Sequence, residues 1–160
     1  VQPDVLCDAR QLDTLPAAGY DAVYCSHNLE HYYRHDLPRV LGGFRHVLRP
    51  DGFALVRVPN VKAVLRIAVE RQLDMEDTLY ESPIGPITVH DVIYGLGAEI
   101  ERSGSDFFAH KTGFSPVTLT RCLEDAGFTH VFMGEADLDI VAFAFTREPD
   151  AAQRQALHLG

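Results

Sequence analysis

Polar residues follow two short apolar runs near the start of the chain. Asp8 ends the run Val5-Leu6-Cys7, and Ser26 and His27 follow a second run. In an open parallel sheet, ligands bind outside the carboxyl ends of the strands, so polar groups at such positions are favoured for ligand binding. A structural role is the alternative, since Asp8 could cap the turn that follows it and Ser26 or Asn28 could cap a helix.

The segment His27-Asn28-Leu29-Glu30-His31 has the pattern H-x-x-E-H. On a helix, this spacing places two imidazoles on one face, where they can bind zinc while the glutamate acts as a general base, as in inverted zinc proteases. Glu99 or Glu101 would be the third ligand. Because His27 directly follows a predicted strand, we expect the helix to begin at or after it. We therefore predict no metal site and keep a zinc protease as an alternative function.

Other side chains could meet a substrate. His27 or His31 could act as a general base, since imidazole titrates near neutral pH, provided that the geometry allows it. Asn60 follows a predicted strand and His110-Lys111 lies in a predicted loop, so both could contact a substrate. A helix cap explains Asn60 equally well, and a solvated loop is the default for His110-Lys111.

Apolar residues in the first third of the chain predict alternating strands and helices. Val5–Cys7, Tyr20–Cys25 and Phe53–Val58 have the composition of buried strands, whereas apolar residues recur about every 3.6 positions over residues 28–48. We expect a helix in two pieces there, broken near Asp36-Leu37-Pro38, and then a turn at Arg49-Pro50-Asp51-Gly52. A strand, a helix and a second strand form a βαβ unit, which requires parallel pairing.

The rest of the chain adds helices and two strands. The expected elements are helices at Val61–Leu73 and Val117–Ala126, strands at His130–Gly134 and Asp139–Thr146, and a frayed helix in the tail from Glu148. Ser115 is expected to cap the second of these helices, with Pro116 at its first position. The Pro- and Gly-interrupted region Ser82–Gly113 is left unassigned.

Three groups of residues, in this order, resemble the middle and late motifs of class I (Rossmann-like) S-adenosylmethionine-dependent methyltransferases that act on small molecules. They are Asp8-Ala9 with Leu15-Pro16, the segment from Tyr20 to His31, and the segment from Val47 to Gly52. The resemblance covers residues 3–147. It implies an α/β fold with a Rossmann-like sheet that is mostly parallel and has an antiparallel final strand, with helices on both faces and a helical insert after the third strand. We expect one domain over residues 1–160, with a substrate-side insert at 61–113 and a tail at 148–160.

The resemblance also implies roles for individual residues. Asp8 would accept a hydrogen bond from the adenine amino group of S-adenosylmethionine, and the backbone amide of Ala9 would contact a ring nitrogen. Ser26 and His27 would lie beside the methionine portion of the cofactor and the incoming substrate. The implied reaction is an in-line displacement on the sulfonium methyl group, in which the protein supplies positioning and desolvation.

The glycine-rich cofactor loop of this family, an acid followed by GxGxG, has no counterpart in the 160 residues. Gly95-Leu96-Gly97 lies after the third strand and lacks the acid, so we interpret it as a loop feature. We therefore expect a truncated sheet with weak or absent binding of S-adenosylmethionine. A non-catalytic remnant domain is the alternative.

Two strands that the family places between Asp8 and the strand ending at Cys25 are also missing, which opens a sheet edge. Either Val5–Cys7 pairs directly with Ala22–Cys25, or a second copy of the chain covers the edge. We predict a homodimer or other self-association at this edge.

The composition excludes several classes of partner. With 14 basic and 23 acidic residues, the chain has a net charge of −9, which repels nucleic-acid phosphates and anionic lipids. No apolar stretch is long enough to span a membrane, and the first residues have no signal-peptide pattern. Three widely spaced cysteines without a CxxC pair indicate buried thiols in a reducing compartment. We expect a cytoplasmic protein that acts on a small molecule.

Overall fold

The computed structural model describes residues 2–160. Strands β1 to β6 comprise, in chain order, Tyr20–Ser26, Leu48–Pro59, Thr78–Ser82, Gly85–Thr88, His130–Ala136 and Asp139–Phe145. Helices α1 to α6 comprise Leu37–Val47, Val61–Glu70, Val89–Tyr94, Gly97–Ser103, Pro116–Asp125 and Ala151–Ala156. Short 3-10 helices lie at Ala9–Thr14, Leu29–His31 and Asp106–Phe108. None of the helices within residues 2–160 has both the length and the apolar character that crossing a bilayer requires.

The main sheet has the strand order β1-β2-β6-β5. Strands β1 and β2 are parallel, and β6 is antiparallel to both of its neighbours, β2 and β5. Strands β1, β2 and β5 therefore share one direction, and β6 opposes it. The predicted α/β fold with an antiparallel final strand is confirmed, and the sheet is mixed, with one parallel and two antiparallel pairs.

One face of this sheet forms the core. Alternate residues of β2 and β6 point to the same side and are fully buried, among them Val56, Val58, Ile140 and Ala142. Helices α1 and α5 cover them with the apolar faces that their 3.6-residue periodicity produces, including Leu41, Phe44, Leu119 and Leu123. On the opposite face, α6 places the Arg154 guanidinium 5.1 Å from the centre of the Phe132 ring.

The predicted strand at Val5–Cys7 is wrong. These residues pair with no strand, and the chain turns directly into the 3-10 helix that begins at Ala9. Leu6 is 91% exposed, and Cys7 is exposed rather than buried. A run of three apolar residues forms a strand only where a neighbouring strand pairs with its backbone groups. Strand β1 is therefore an edge of the sheet, and direct pairing of Val5–Cys7 with Ala22–Cys25 does not occur.

The predicted turn at residues 49–52 is a bulge within β2. Tyr20 pairs with Leu48, and Ala22 pairs with Phe53, so β2 uses more residues than β1 over this step. Gly52 lies where the two strands approach closely, because a Cβ atom there would come within 2.8 Å of the Asp21 carbonyl oxygen. The glycine therefore permits the bulge.

The insert after β2 differs from the expected helical insert. Strands β3 and β4 form an antiparallel hairpin, which packs with α2 and α3 around a second apolar cluster. A reciprocal capping box between Thr88 and Asp91 begins α3. The sequence did not predict this hairpin, because its strands are short and its second strand contains Pro86.

Candidate functional site

The carboxyl ends of β1 and β2 lie side by side, as the βαβ arrangement requires. Ser26 pairs with Arg57, and the backbone N–H of His27 donates to the Arg57 carbonyl at 2.9 Å. His27 then adopts a left-handed conformation with φ of 48°, which is uncommon for a residue with a side chain. This reversal directs the chain into the 3-10 helix that carries Glu30 and His31.

The His27 side chain contacts two carboxylates. Its Nε2 lies 3.2 Å from Asp139 Oδ2, and its Nδ1 lies 3.5 Å from Glu30 Oε1. The hydrogen bond to Asp139 and then the contact with Glu30 raise the pKa of His27 to about 9, because both carboxylates stabilise the protonated imidazole. Arg57 Nε also donates to Asp139 at 2.5 Å. Although burial raises the pKa of Asp139, these two cations outweigh burial and hold it below its usual value.

The Glu30 carboxylate is buried, and neighbouring side chains only partly balance its negative charge. Its side chain is 2% exposed, and neither carboxylate oxygen has a hydrogen-bond partner within residues 2–160. The His27 contact at 3.5 Å is an ion-pair distance rather than a hydrogen bond. The Glu30 carbonyl accepts the backbone N–H groups of Lys111 and Thr112, at 2.7 and 3.1 Å. These bonds attach the segment around His110 to the end of β1.

Two histidines lie beside this carboxylate. His31 Nδ1 is 3.1 Å from the Ala109 carbonyl oxygen, and His110 Nδ1 is 3.0 Å from that of Val92. The two ring centres are 5.0 Å apart. Donor atoms of Glu30, His31 and His110 all lie within 4.8 Å of one another, so these three side chains could hold a metal ion.

A cavity of about 680 Å³ opens next to His31. Its volume is within the range of small-molecule sites. Three of the predicted site residues line it, namely Asp8, His31 and Lys111. Asn28, Tyr32 and Phe107 also contribute to its wall. Ala9, Ser26, His27, Asn60 and His110 are not among the lining residues.

Asp8 also has the structural role that was the alternative. Its carboxylate accepts the Arg10 backbone N–H at 2.9 Å and so caps the first 3-10 helix, of which Ala9 is the first residue. It forms an ion pair with the Arg10 guanidinium at 2.7 Å. Hydrogen bonds from Arg10 keep the pKa of Asp8 below its ordinary value. Asp8 is therefore a charged group on the cavity wall.

The predicted substrate residues are separated from one another. Asn60 is buried, and its side chain accepts the Ala63 backbone N–H at 3.2 Å, so it caps α2. The Lys111 ammonium pairs with Asp106 at 3.1 Å and lies 5.4 Å from the centre of the Tyr33 ring. Of the three predicted substrate residues, Asn60, His110 and Lys111, only Lys111 lines the cavity.

The H-x-x-E-H segment lacks the geometry of an inverted zinc protease. His27 leaves β1 in a left-handed conformation, and the 3-10 helix begins only at Leu29, so His27 and His31 do not share a helical face. Glu99 pairs with Arg102 within α4 and is not in the group around Glu30.

The sequence did not indicate Asp139 as a site residue, and it did not indicate that Glu30 could be a metal ligand. Asp139 begins a predicted strand, and that position alone does not indicate an ion pair with His27. Glu30 belongs to H-x-x-E-H, where the motif suggests a base rather than a buried carboxylate beside two imidazoles. In both cases the partner comes from a distant part of the chain.

The family model described as a methyltransferase domain matches residues 2–56. No curated protein has a sequence that matches the chain. Among solved structures, an S-adenosylmethionine-dependent methyltransferase from Archaeoglobus fulgidus aligns with 88% of this chain and 66% of its own, at 18% identity and a TM-score of 0.51. The 1,6-didemethyltoxoflavin-N1-methyltransferase of Burkholderia thailandensis, solved with its substrate and S-adenosylhomocysteine, aligns with 91% of this chain and 50% of its own, at 18% identity and a TM-score of 0.54.

At this level of identity, the likeness to the solved structures concerns the fold. The chain spans between half and two thirds of the length of these two proteins. The family match and the shared fold confirm the resemblance to class I S-adenosylmethionine-dependent methyltransferases.

Proposed function

We propose that this chain, which resembles class I methyltransferases in the sequence of residues 2–56 and in its fold, takes part in S-adenosylmethionine-dependent methylation of a small molecule. The observation that carries this proposal is the cavity of about 680 Å³, with Asp8 and His31 on its wall. The cavity lies beside the segment that leaves β1, where ligands of parallel sheets bind.

The cofactor would lie against the Asp8 side of this cavity. The Asp8 carboxylate supplies an acceptor for the adenine amino group, and the Ala9 backbone amide stays the predicted partner of a ring nitrogen. The ion pair with Arg10 fixes the orientation of the carboxylate. When bound, S-adenosylmethionine supplies an electrophilic methyl group. Ser26 and His27, predicted beside its methionine portion, lie outside the cavity wall and would contact the cofactor only from its edge.

The chain's own contribution to the reaction is positioning and the exclusion of water. If a proton has to be removed from the substrate, geometry favours His31 over His27. His31 lines the cavity, whereas both ring nitrogens of His27 face carboxylates. Lys111, which also lines the cavity, is the substrate-side residue best placed for contact. Asn60 and His110 would affect the substrate only indirectly.

Binding of S-adenosylmethionine to this chain alone is expected to be weak, because the 160 residues contain no acid followed by GxGxG. Calorimetric titration with S-adenosylmethionine tests this. Asp8→Asn is the informative variant, since Asn caps as well as Asp does and only the negative charge is lost. We expect about a fivefold loss of affinity, since hydrogen bonds to charged groups are about 1 kcal/mol stronger than neutral ones. Asp13→Asn, at an exposed position of the same 3-10 helix, is the control.

Two results would contradict the cofactor site. If the wild-type chain and Asp8→Asn bind S-adenosylmethionine with equal affinity, Asp8 is not part of the cofactor site. No heat up to millimolar S-adenosylmethionine would favour the alternative, a non-catalytic domain that self-associates. The exposed edge strand β1 supports that alternative, because Tyr24 is 71% exposed there. In either case we place the protein in the cytoplasm.

A further inference from the structure

The buried Glu30 carboxylate needs a positive partner that the described side chains supply only in part. Moving an ionised carboxylate out of water is costly unless it is paired and hydrogen-bonded. Within residues 2–160, both of its oxygens lack a hydrogen bond, and His27 at 3.5 Å is shared with Asp139. Glu30 therefore offers free oxygen lone pairs inside the protein.

The two neighbouring histidines offer nitrogen lone pairs at the same place. A carbonyl oxygen can only accept a hydrogen bond, so the Nδ1 atoms of His31 and His110 carry the protons that they donate to Ala109 and Val92. In the neutral imidazole, Nε2 is then the unprotonated nitrogen. Histidines that bind metals typically have their other nitrogen fixed by a backbone carbonyl or a carboxylate in this way.

We propose that Glu30, His31 and His110 bind a divalent transition-metal ion such as Zn²⁺. Two imidazole nitrogens and one carboxylate oxygen are an established ligand set for zinc sites that keep a fourth position open. One ligand atom from each of the three side chains already lies within 4.8 Å of the other two. Zinc bonds of about 2.0–2.2 Å require these atoms to come somewhat closer when the ion binds.

This site differs from the one that H-x-x-E-H suggests. Glu30 is a ligand rather than a base, and His110 takes the place of His27, whose nitrogens face Glu30 and Asp139. Since His31 also lines the large cavity, the open position would face it and take water or a substrate oxygen. The ion would bind to His31 Nε2, so His31 could not use that nitrogen as a base while the metal is bound.

Calorimetric titration of the untagged, metal-free chain with ZnCl₂ tests the site without any cofactor. We expect one ion per chain, and a loss of affinity of more than about tenfold in His110→Gln, since even second-shell changes cost 10–100-fold. His35→Gln is the matched control, because His35 is 79% exposed and outside the group. Unchanged affinity in His110→Gln, or an equal loss in His35→Gln, would overturn the proposal.

A measurement on the wild-type chain covers the case in which the variants fold poorly. In nitrogen NMR spectra of the histidine rings, Zn²⁺ should shift the Nε2 signals of His31 and His110 and leave the ring signals of His35 in place. The same addition should raise the midpoint of thermal unfolding, because an ion that binds only the folded state stabilises it. No shift at His31 and His110 with saturating Zn²⁺ would exclude the site. Failure of S-adenosylmethionine to bind would leave this result unaffected.

Discussion

At the scale of single residues, Asp139, the first residue of the last strand, connects that strand to the ends of β1 and β2. It accepts hydrogen bonds from both His27 and Arg57, and its side chain is 13% exposed. A carboxylate in this position adds side-chain bonds between β6 and the ends of β1 and β2, beside the backbone hydrogen bonds that already join β1 to β2 and β2 to β6. It also keeps His27 turned away from the cavity.

Asp139→Asn should therefore destabilise the protein by about 1–3 kcal/mol at neutral pH, since charge-assisted hydrogen bonds are lost. The folded-state pKa of Asp139 lies below the ordinary value of 3.8, so its ionisation contributes stability above that value. This contribution disappears as the pH falls through the lowered pKa. Urea unfolding at several pH values should show a smaller loss of stability on acidification in the variant. Asp137→Asn, at an exposed position of the turn before β6, should retain the wild-type dependence of stability on pH.

At the scale of elements, the loop around Gly95 positions the segment that carries His110. Gly95 has φ of 97°, and a Cβ atom there would lie 2.1 Å from the Phe108 carbonyl oxygen. Gly95 pairs with Ala109 in an isolated bridge, and the His110 N–H donates to the Tyr94 carbonyl at 2.9 Å. The segment Gly95-Leu96-Gly97, which the sequence indicated only as a loop feature, thus makes the contact that brings His110 next to Glu30.

Gly95→Ala should displace this segment and cost about 1–3 kcal/mol, because alanine is strained at this φ and would clash. Gly97→Ala is the control, since its added Cβ would meet only the Asp91 side chain at 3.6 Å. Thermal unfolding would give the stability of each variant, and proton NMR would report the environment of His110. A Gly95→Ala chain with unchanged stability and an unchanged His110 signal would show that the close approach is not required.

At the scale of the whole molecule, one face of the sheet and one edge are only partly covered. Tyr24 on β1 lies beside Leu55 on β2, which pairs in turn with Phe143 on β6. Neighbours in register share a face, so these side chains form an apolar row on the side opposite α1 and α5. The row begins at the edge strand β1, whose outer side has no partner strand within residues 2–160.

Self-association is therefore expected to involve this edge, and Tyr24→Lys should weaken it. A charged side chain on an edge strand opposes pairing with another copy. Sedimentation velocity over a range of concentrations would show dimers of the wild-type chain at high concentration and fewer in the variant. Tyr94→Lys, at an exposed position of the insert, should behave as wild type. A wild-type chain that stays monomeric at high concentration would refute this proposal.

The amino-acid sequence by itself determined the elements that have a strong local pattern. Strands β1, β2, β5 and β6 were predicted within a few residues, except that β2 extends through the predicted turn. The break before α1 and the cap of α5 were also predicted, because helix periodicity, Asp-Leu-Pro and Ser-Pro act over a few neighbouring residues. The resemblance to methyltransferases came from such local motifs as well.

Only the tertiary structure decided which side chains meet. Val5–Cys7 resembles a strand in sequence, but it does not pair with the free edge of β1, and the chain turns at Asp8 into a 3-10 helix. His27 faces Asp139, and Glu30 faces His110, across contacts that join distant parts of the chain. Such pairs depend on sheet order and loop path, which local periodicity does not encode, so the environment of Glu30 could be found only in the folded molecule.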